Sequence, residues 1–427
     1  MRRHNAVLSM VLSALFCLAP VSGTFAAQKL DLDSLTQTAL KENPGVQAKK
    51  QAYEALKAKV IDAWLLADPQ FGADVEGQRR LFNFQSRSDV EISAQQEIPF
   101  PTKIFLKGWI AAKEADVAYQ NYREEERSII WHMEEPYYNL FLAKKTISVL
   151  EENKNLLDQL LKTLKARYEA GQASQVDWLR IQIELSKTEI EIFNWKEKEK
   201  LQEAHFSHLI NQPLDTHYDI DVEISVVNLQ ESPHFYEKKA IEKRPELRAI
   251  RLLSEQKGME RDLTNQEWLP DITLRYEGRR FKGEGDFREN DTFIGVTMPV
   301  WSLLKGIGGV WRGASAEAKS AELEAQKMEY ETRLAVHEAY SKVRASENAL
   351  LLYENSILPQ AKQAVEVGLS SYEVGKIDFV SLIDTEKTLK ESELAYQMAL
   401  VNYAEGLADL RRVVGDDLGL GVERKVA

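Results

Sequence analysis

The chain has a single cysteine in 427 residues, Cys17, and it sits in a segment expected to be lost. Arg2 and Arg3 precede an apolar stretch from Ala6 to Ala19, followed by small residues through Thr24 and Ala26. That is the layout of a secretory signal peptide, cut after Ala26. The apolar run is too short for a membrane anchor, which needs ~20 residues. Phe16, just before the cysteine, is too bulky for a lipoprotein-type cleavage site. The mature chain would therefore enter an exported, oxidising compartment with no disulfide, so its stability must come from packing or assembly.

Positive charge is also in deficit. The 55 Lys and Arg against 67 Asp and Glu give −12, and −14 once Arg2 and Arg3 leave with a segment holding no acidic residue. This excludes general nucleic-acid binding, which needs a basic footprint. No stretch after the signal reads as a transmembrane helix, although short alternating strands can cross a bilayer and escape a hydropathy scan. No nucleophile–base set and no metal-ligand cluster stands out. The chain is read as a non-enzyme, with no cofactor expected.

What is present is a duplication. "ALKENPGVQA" (39–48) resembles "AIEKRPELRA" (240–249), and "ADPQFGADVEG" (67–77) resembles "WLPDITLRYEG" (268–278). "QEIPFP" (96–101) corresponds to "VTMPVW" (296–301), and "YEAGQASQVDWL" (168–179) to "YEVGKIDFVSLI" (372–383). The offsets are 200 to 204 residues and the order is the same throughout. Four collinear pairs point to two copies of one structural unit. The division is a signal at 1–26, repeats at 27–228 and 229–415, and a tail at 416–427.

Two periods occur within each copy. Phe71, Ala73 and Val75 alternate with polar residues, as do Val90, Ile92 and Ala94, then Ile272, Leu274 and Tyr276, then Ile294, Val296 and Met298. Period two predicts strands with one apolar face, at about 70–77, 89–98, 271–280 and 291–300. Elsewhere the spacing is helical. Leu150, Leu157, Leu161, Leu164 and Tyr168 form a seam that Val176, Leu179, Ile183, Ile190 and Phe193 continue. Leu382, Leu389, Tyr396, Tyr403 and Leu410 recur every seventh residue, predicting coiled-coil packing. A helix from about Lys103 to Arg167 would span ~100 Å.

Gly171 and Gly375 interrupt these helices, and glycine readily takes the left-handed conformation that ends one. The tip hairpins at about 168–177 and 372–381 are therefore turns between antiparallel helices, pointing the same way and far from the strands. Tyr168 and Tyr372 are expected to pack across their hairpins. Four strands cannot close a membrane barrel, and an open sheet edge is forbidden in lipid. Oligomerisation, each chain lending four strands, is the economical escape.

The order of helix, two strands, long helices and a "Y-x-x-G" tip, repeated over essentially the whole mature chain, resembles the outer membrane factor family of TolC-like channels. The matched stretches are "ALKENP", "QEIPFPTK", "YEAGQASQVDWL", "YEVGKIDFVSLID" and "LVNYAEGLADLRRVVG". "QEIPFPTK" looks most like the branch associated with cation and heavy-metal efflux. The resemblance implies a mainly α fold: long coiled-coil hairpins form an α-barrel, and a homotrimer shares a 12-stranded transmembrane β-barrel. It implies a passive outer-membrane duct with a long periplasmic extension. Its partners would be outer-membrane lipid, a periplasmic adaptor (membrane fusion) protein and an inner-membrane pump, of RND type. It also implies an aperture near the tips, with Asp177 and Asp384 at matching motif positions and Ser381 where a further acid often stands. Tyr168, Gly171, Tyr372 and Gly375 would form the tip turns on which an adaptor docks. A helix-start role for Asp177 is the plainer alternative.

A type I protein secretion duct and a soluble periplasmic coiled-coil scaffold are the competing functions. Alternating strand pairs count against the scaffold. Other features read blandly. His205 and His208 are surface histidines near a helix end, and "KGIGGV" (305–310) lacks the ending of a phosphate loop and reads as a flexible strand-to-helix transition like "PFPTK". Arg79, Arg80 and Arg87 make the first strand loop basic, whereas Arg279, Arg280, Lys282 and Arg288 are balanced by Glu284, Asp286, Glu289 and Asp291. Trp64, Trp109, Trp268, Trp301 and Trp311 lie near strand ends, as an aromatic belt or a strand–helix junction would have them.

Overall fold

The computed structural model describes residues 32–76, 89–171, 173–218, 224, 229, 231–281, 283 and 285–416. The expected signal with Cys17, the loop residues Arg79, Arg80, Arg87, Lys282 and Glu284, and the tail beyond Asp416 lie outside the described residues.

Helices α1 (Leu32–Glu42) and α2 (Pro44–Trp64) lead into strands β1 (Gln70–Glu76) and β2 (Asp89–Ile98). The chain then runs out along α3 (Pro101–Glu169) and back along α4 (Gln175–Leu209). The order recurs in α5 (Pro233–Lys243), α6 (Pro245–Thr264), β3 (Asp271–Arg280) and β4 (Glu289–Thr297). It then continues through α7 (Val300–Lys305), α8 (Trp311–Leu352), α9 (Leu358–Glu373) and α10 (Phe379–Val414). Pro44 and Pro245 both open helices, where a missing N–H costs nothing. Asn43 caps α2, accepting from the Gly45 N–H at 2.8 Å.

The 69 residues of α3 span ~100 Å. Pro136 lies inside this helix and is buried. The main core surrounds it: Tyr137, Leu140 and Phe141 of α3 meet Phe206 of α4, Val343 of α8 and Tyr403 and Leu407 of α10. Along the seams, Leu150, Leu157, Leu164, Leu382, Tyr403 and Leu410 are buried.

The α4 seam needs correcting. Val176, Leu179, Ile183, Ile190 and Phe193 are all exposed, and α4 turns Ile181, Thr188 and Ile192 inward instead. Apolar residues occupy two stripes of α4, and heptad spacing cannot say which stripe faces its own hairpin.

The strands form one antiparallel meander in the order β1-β2-β3-β4. The register aligns the alternating apolar residues: Phe71 opposite Ala94, Ala94 opposite Tyr276, Ile272 opposite Val296 and Leu274 opposite Ile294. One face is thus apolar across all four strands, and Ile272, Leu274, Tyr276, Ile294 and Val296 are exposed on it. β4 starts at Glu289 and ends at Thr297, earlier than the alternation suggests, because Pro299 has no N–H to pair and α7 begins at Val300.

"KGIGGV" lies between the end of β4 and the long α8, but a short helix, α7, precedes it rather than the strand itself. The chain kinks at Gly309 before α8 begins at Trp311. A Cβ on Gly306 would come within 2.2 Å of the Trp311 ring, and Gly309 has φ +136°. "PFPTK" behaves differently, since Pro101 starts α3 directly. Trp64 packs edge-on to Phe105 and Trp109, with ring centroids 6.0 and 6.5 Å away, at the junction of α2 and α3.

Candidate functional site at the paired tip turns

At the first tip, α3 ends on Ala170 and Gly171 takes φ +70°. Its N–H donates to the Tyr168 carbonyl at 2.9 Å. Ser174 then caps α4, its hydroxyl accepting from the Val176 N–H at 3.1 Å. At the second tip Gly375 has φ +73° and donates to the Tyr372 carbonyl at 3.1 Å, while the Lys376 N–H reaches the Ser371 carbonyl at 2.8 Å. These two bonds make a Schellman closure of α9. Asp378 caps α10, its carboxylate accepting from the Ser381 N–H at 2.9 Å. The Ser381 hydroxyl, then its N–H, hold the Asp378 carboxyl below its ordinary range, and the Arg180 guanidinium adds to the effect.

The two turns share one small core, in which Leu157, Leu160 and Leu164 of α3 meet Ile181 of α4 and Phe379 and Leu382 of α10. Tyr372 packs across its hairpin onto Phe379, ring centroids 5.8 Å apart. Tyr168 does not do the same: it is 44% exposed. Its place against the second tip is taken by its neighbour Arg167, whose guanidinium lies 4.7 Å from the Tyr372 ring centroid. Arg167 also donates to the carbonyls of Tyr372 at 3.3 Å and Glu373 at 3.1 Å. A cation on the carbonyl end of α9 meets that helix's negative pole. Nothing in the repeat pattern points to Arg167, because its partners lie 205 and 206 residues away.

The caps also correct the pairing of the candidate aperture acids. Ser174 and Asp378 are equivalent caps, so Asp177 and Ser381 stand at the same third position of their helices. Asp384 lies one turn further on, where the first repeat carries Arg180. Asp384 and Ser381 are exposed and Asp177 is half-buried. Beside them a groove of about 330 Å³ is lined by Arg180, Ile183 and Glu184 of α4 and by Phe379, Val380 and Ile383 of α10.

Above the tip core, Glu386 of α10 is only 5% exposed. It accepts from the Asn153 amide at 2.5 Å, and Asn153 in turn accepts from the Thr188 hydroxyl at 3.5 Å. Burial pushes the Glu386 carboxyl up to about 7, against an opposing pull from Lys390. His205 and His208 are exposed near the end of α4 and line a groove with His132. Among the described residues no three His, Cys, Asp or Glu side chains gather around a metal-sized centre.

Residues 35–212 and 237–416 match the family model described as "Outer membrane efflux protein". A curated relative, the cobalt-zinc-cadmium resistance protein CzcC of Cupriavidus metallidurans, is 18% identical over 400 residues, 93% of each chain. Among solved structures, the outer-membrane channel OprN superposes with a TM-score of 0.78 at 16% identity, covering 90% of this chain and 89% of that one. The outer membrane protein VceC of Vibrio cholerae superposes with a TM-score of 0.76 at 14% identity, covering 90% and 96%.

Proposed function

Because the chain belongs to the outer membrane efflux protein family and is an outer-membrane efflux channel with a periplasmic helical tunnel, we propose that it works as a homotrimer whose twelve strands close one shared barrel. The observation that carries this is the sheet: four strands with a continuous apolar face and unpaired edges at β1 and β4, joined directly to ~100 Å of helix. Neither edge nor face is tolerable alone in lipid, and both are resolved by neighbouring copies.

Its partners are a periplasmic adaptor and, through it, an inner-membrane pump of RND type that supplies the energy. The groove between α4 and α10 and the exposed turns at Gly171 and Gly375 supply the adaptor's landing surface. Asp384, with Asp177 and Ser381 one turn nearer the tip, lines the periplasmic aperture. The cargo is a divalent metal cation, a reading supported by the likeness to a cobalt-zinc-cadmium resistance protein and by the acidic aperture.

Fractionation of expressing cells tests the assembly. An outer-membrane band at about three times the monomer mass on an unheated gel is expected from a closed C3 assembly. Protein recovered as monomer would end the shared-barrel reading. Cells lacking the chain should lose tolerance to divalent metal ions and regain it with the gene, and unchanged tolerance would remove the cargo assignment.

A further inference from the structure

The face of the sheet opposite the apolar one is charged, and its charges are organised around one arginine. The register puts Glu91, Glu277 and Asp291 on this face, together with Arg275 and Arg279. Arg279 reaches three strands at once. Its Nε lies 3.1 Å from Glu91 Oε2 on β2, one Nη lies 3.1 Å from Glu277 Oε2 on β3, and the other lies 3.7 Å from Asp291 Oδ2 on β4. Arg275 completes the group with Glu91 at 3.3 Å and with Glu277. With Ile272, Leu274 and Ile294 turned toward lipid, this network faces the lumen.

We propose that Arg279 is a specificity-determining residue of the barrel, holding the lumenal carboxylates in a paired state and so setting how strongly the exit half of the duct favours cationic solutes. The proposal rests on the shared-barrel reading above. Three carboxylates against two guanidinium groups leave a net −1 per protomer in this network, hence −3 for three copies. Losing Arg279 doubles that to −6, takes the guanidinium away from Asp291 and leaves Glu91 and Glu277 to share Arg275, all at one height of the pore. A ring of unpaired carboxylates favours cations by direct electrostatic attraction. Selection by charge would then act at the barrel as well as at the tips, on a cargo that leaves as a cation.

The test is the reversal potential of purified, assembled channel in planar bilayers under a KCl gradient. Arg279→Gln should raise the potassium-to-chloride permeability ratio by about twofold or more. Arg279→Lys should stay near wild type, and Glu91→Gln should shift the ratio toward chloride. An assembled Arg279→Gln channel with an unchanged reversal potential overturns the proposal and leaves the channel reading intact. If Arg279→Gln does not assemble, Glu91→Gln decides, since that variant removes only one carboxylate: a shift toward chloride supports the network and no shift overturns it. Wild-type protein that forms no conducting channel would remove the underlying reading, and this inference with it.

Discussion

Lys103 and Asp271 close an ion pair across the duplication, Nζ to Oδ1 at 2.9 Å, with only 8% and 19% of the two side chains exposed. The ammonium also donates to the Leu269 carbonyl at 2.7 Å, and the Phe100 N–H donates to the same carboxylate at 2.8 Å. One carboxylate at the first residue of β3 thus receives the start of α3, fixing where sheet becomes tunnel. Removing one partner of a largely buried pair costs about 3 kcal/mol, because the other charge is left unpaired. Lys103→Met should therefore lower the temperature at which assembled channel dissociates on unheated gels. Asp271→Asn, which keeps an acceptor for the Phe100 N–H, should lower it less. Equal losses would show that the ammonium contributes nothing specific.

Gly171 and Gly375 have φ of +70° and +73°, yet no atom lies within 4 Å of a Cβ added to either. The cost of substitution is therefore conformational rather than steric, about 1–2 kcal/mol for an ordinary residue. Gly375→Val should reduce the yield of assembled channel, and Gly375→Asn should restore most of it because asparagine tolerates the left-handed region. Similar yields for Val and Asn would show that the turn tolerates another backbone path.

Arg167→Gln should loosen the second tip without unfolding the tunnel. It removes a guanidinium from the Tyr372 ring and from two carbonyls at the end of α9. A loss of about 1 kcal/mol would speed tryptic cleavage after Lys376 about fivefold where opening equilibrates rapidly. An unchanged cleavage rate would mean the tip holds together without this contact.

The two aperture acids should respond differently. Asp384 is exposed and one turn beyond the cap, whereas Asp177 is half-buried at the third residue of α4. Asp384→Ala should raise single-channel conductance or weaken cation preference, and unchanged values on both would remove it from the aperture. Asp177→Ala should mainly cost the helix-dipole interaction at the start of α4, about 0.5 kcal/mol. A conductance change equal to that of Asp384→Ala would show that both acids bear equally on the aperture.

The sheet was legible in the sequence because alternation is local. Ile272, Leu274 and Tyr276 declare a face by themselves, and the pairing merely aligns it with Ile294 and Val296. The turns were legible for the same reason, since Gly171 and Gly375 act on their own backbone. Contacts that depend on which helix neighbours which were not. Arg167 serves the tip of the other repeat, Lys103 answers an aspartate 168 residues away, and the apolar stripe from Val176 to Phe193 faces away from its own hairpin. Spacing gives a residue's face but not that face's partner. The pairing of Asp177 with Asp384 fails differently: the 204-residue offset of the tip motifs itself sets Asp177 against Ser381, and the caps at Ser174 and Asp378 agree with that register.

Glu386 sits on the seam between Leu382 and Leu389, where the heptad pattern masks it. Buried against Asn153, its carboxyl is raised from 4.5 to about 7, so the folded state holds its proton more tightly than the unfolded chain. The sign follows from that order. The contribution is fully present below pH ~4.5 and is lost as pH rises through about 7, with ionisation of a buried group costing on the order of 3 kcal/mol in full. Wild-type channel should therefore be more stable at pH 5 than at pH 8, through this group, in the helices just above the tips. Glu386→Gln keeps an amide oxygen for the Asn153 donor and carries no charge at any pH. Its thermal stability should exceed wild type at pH 8 and match it at pH 5, flattening the pH dependence between them. A variant that tracks wild type across that range would mean that the carboxyl escapes desolvation, and that any loss of stability between pH 5 and pH 8 lies in other groups.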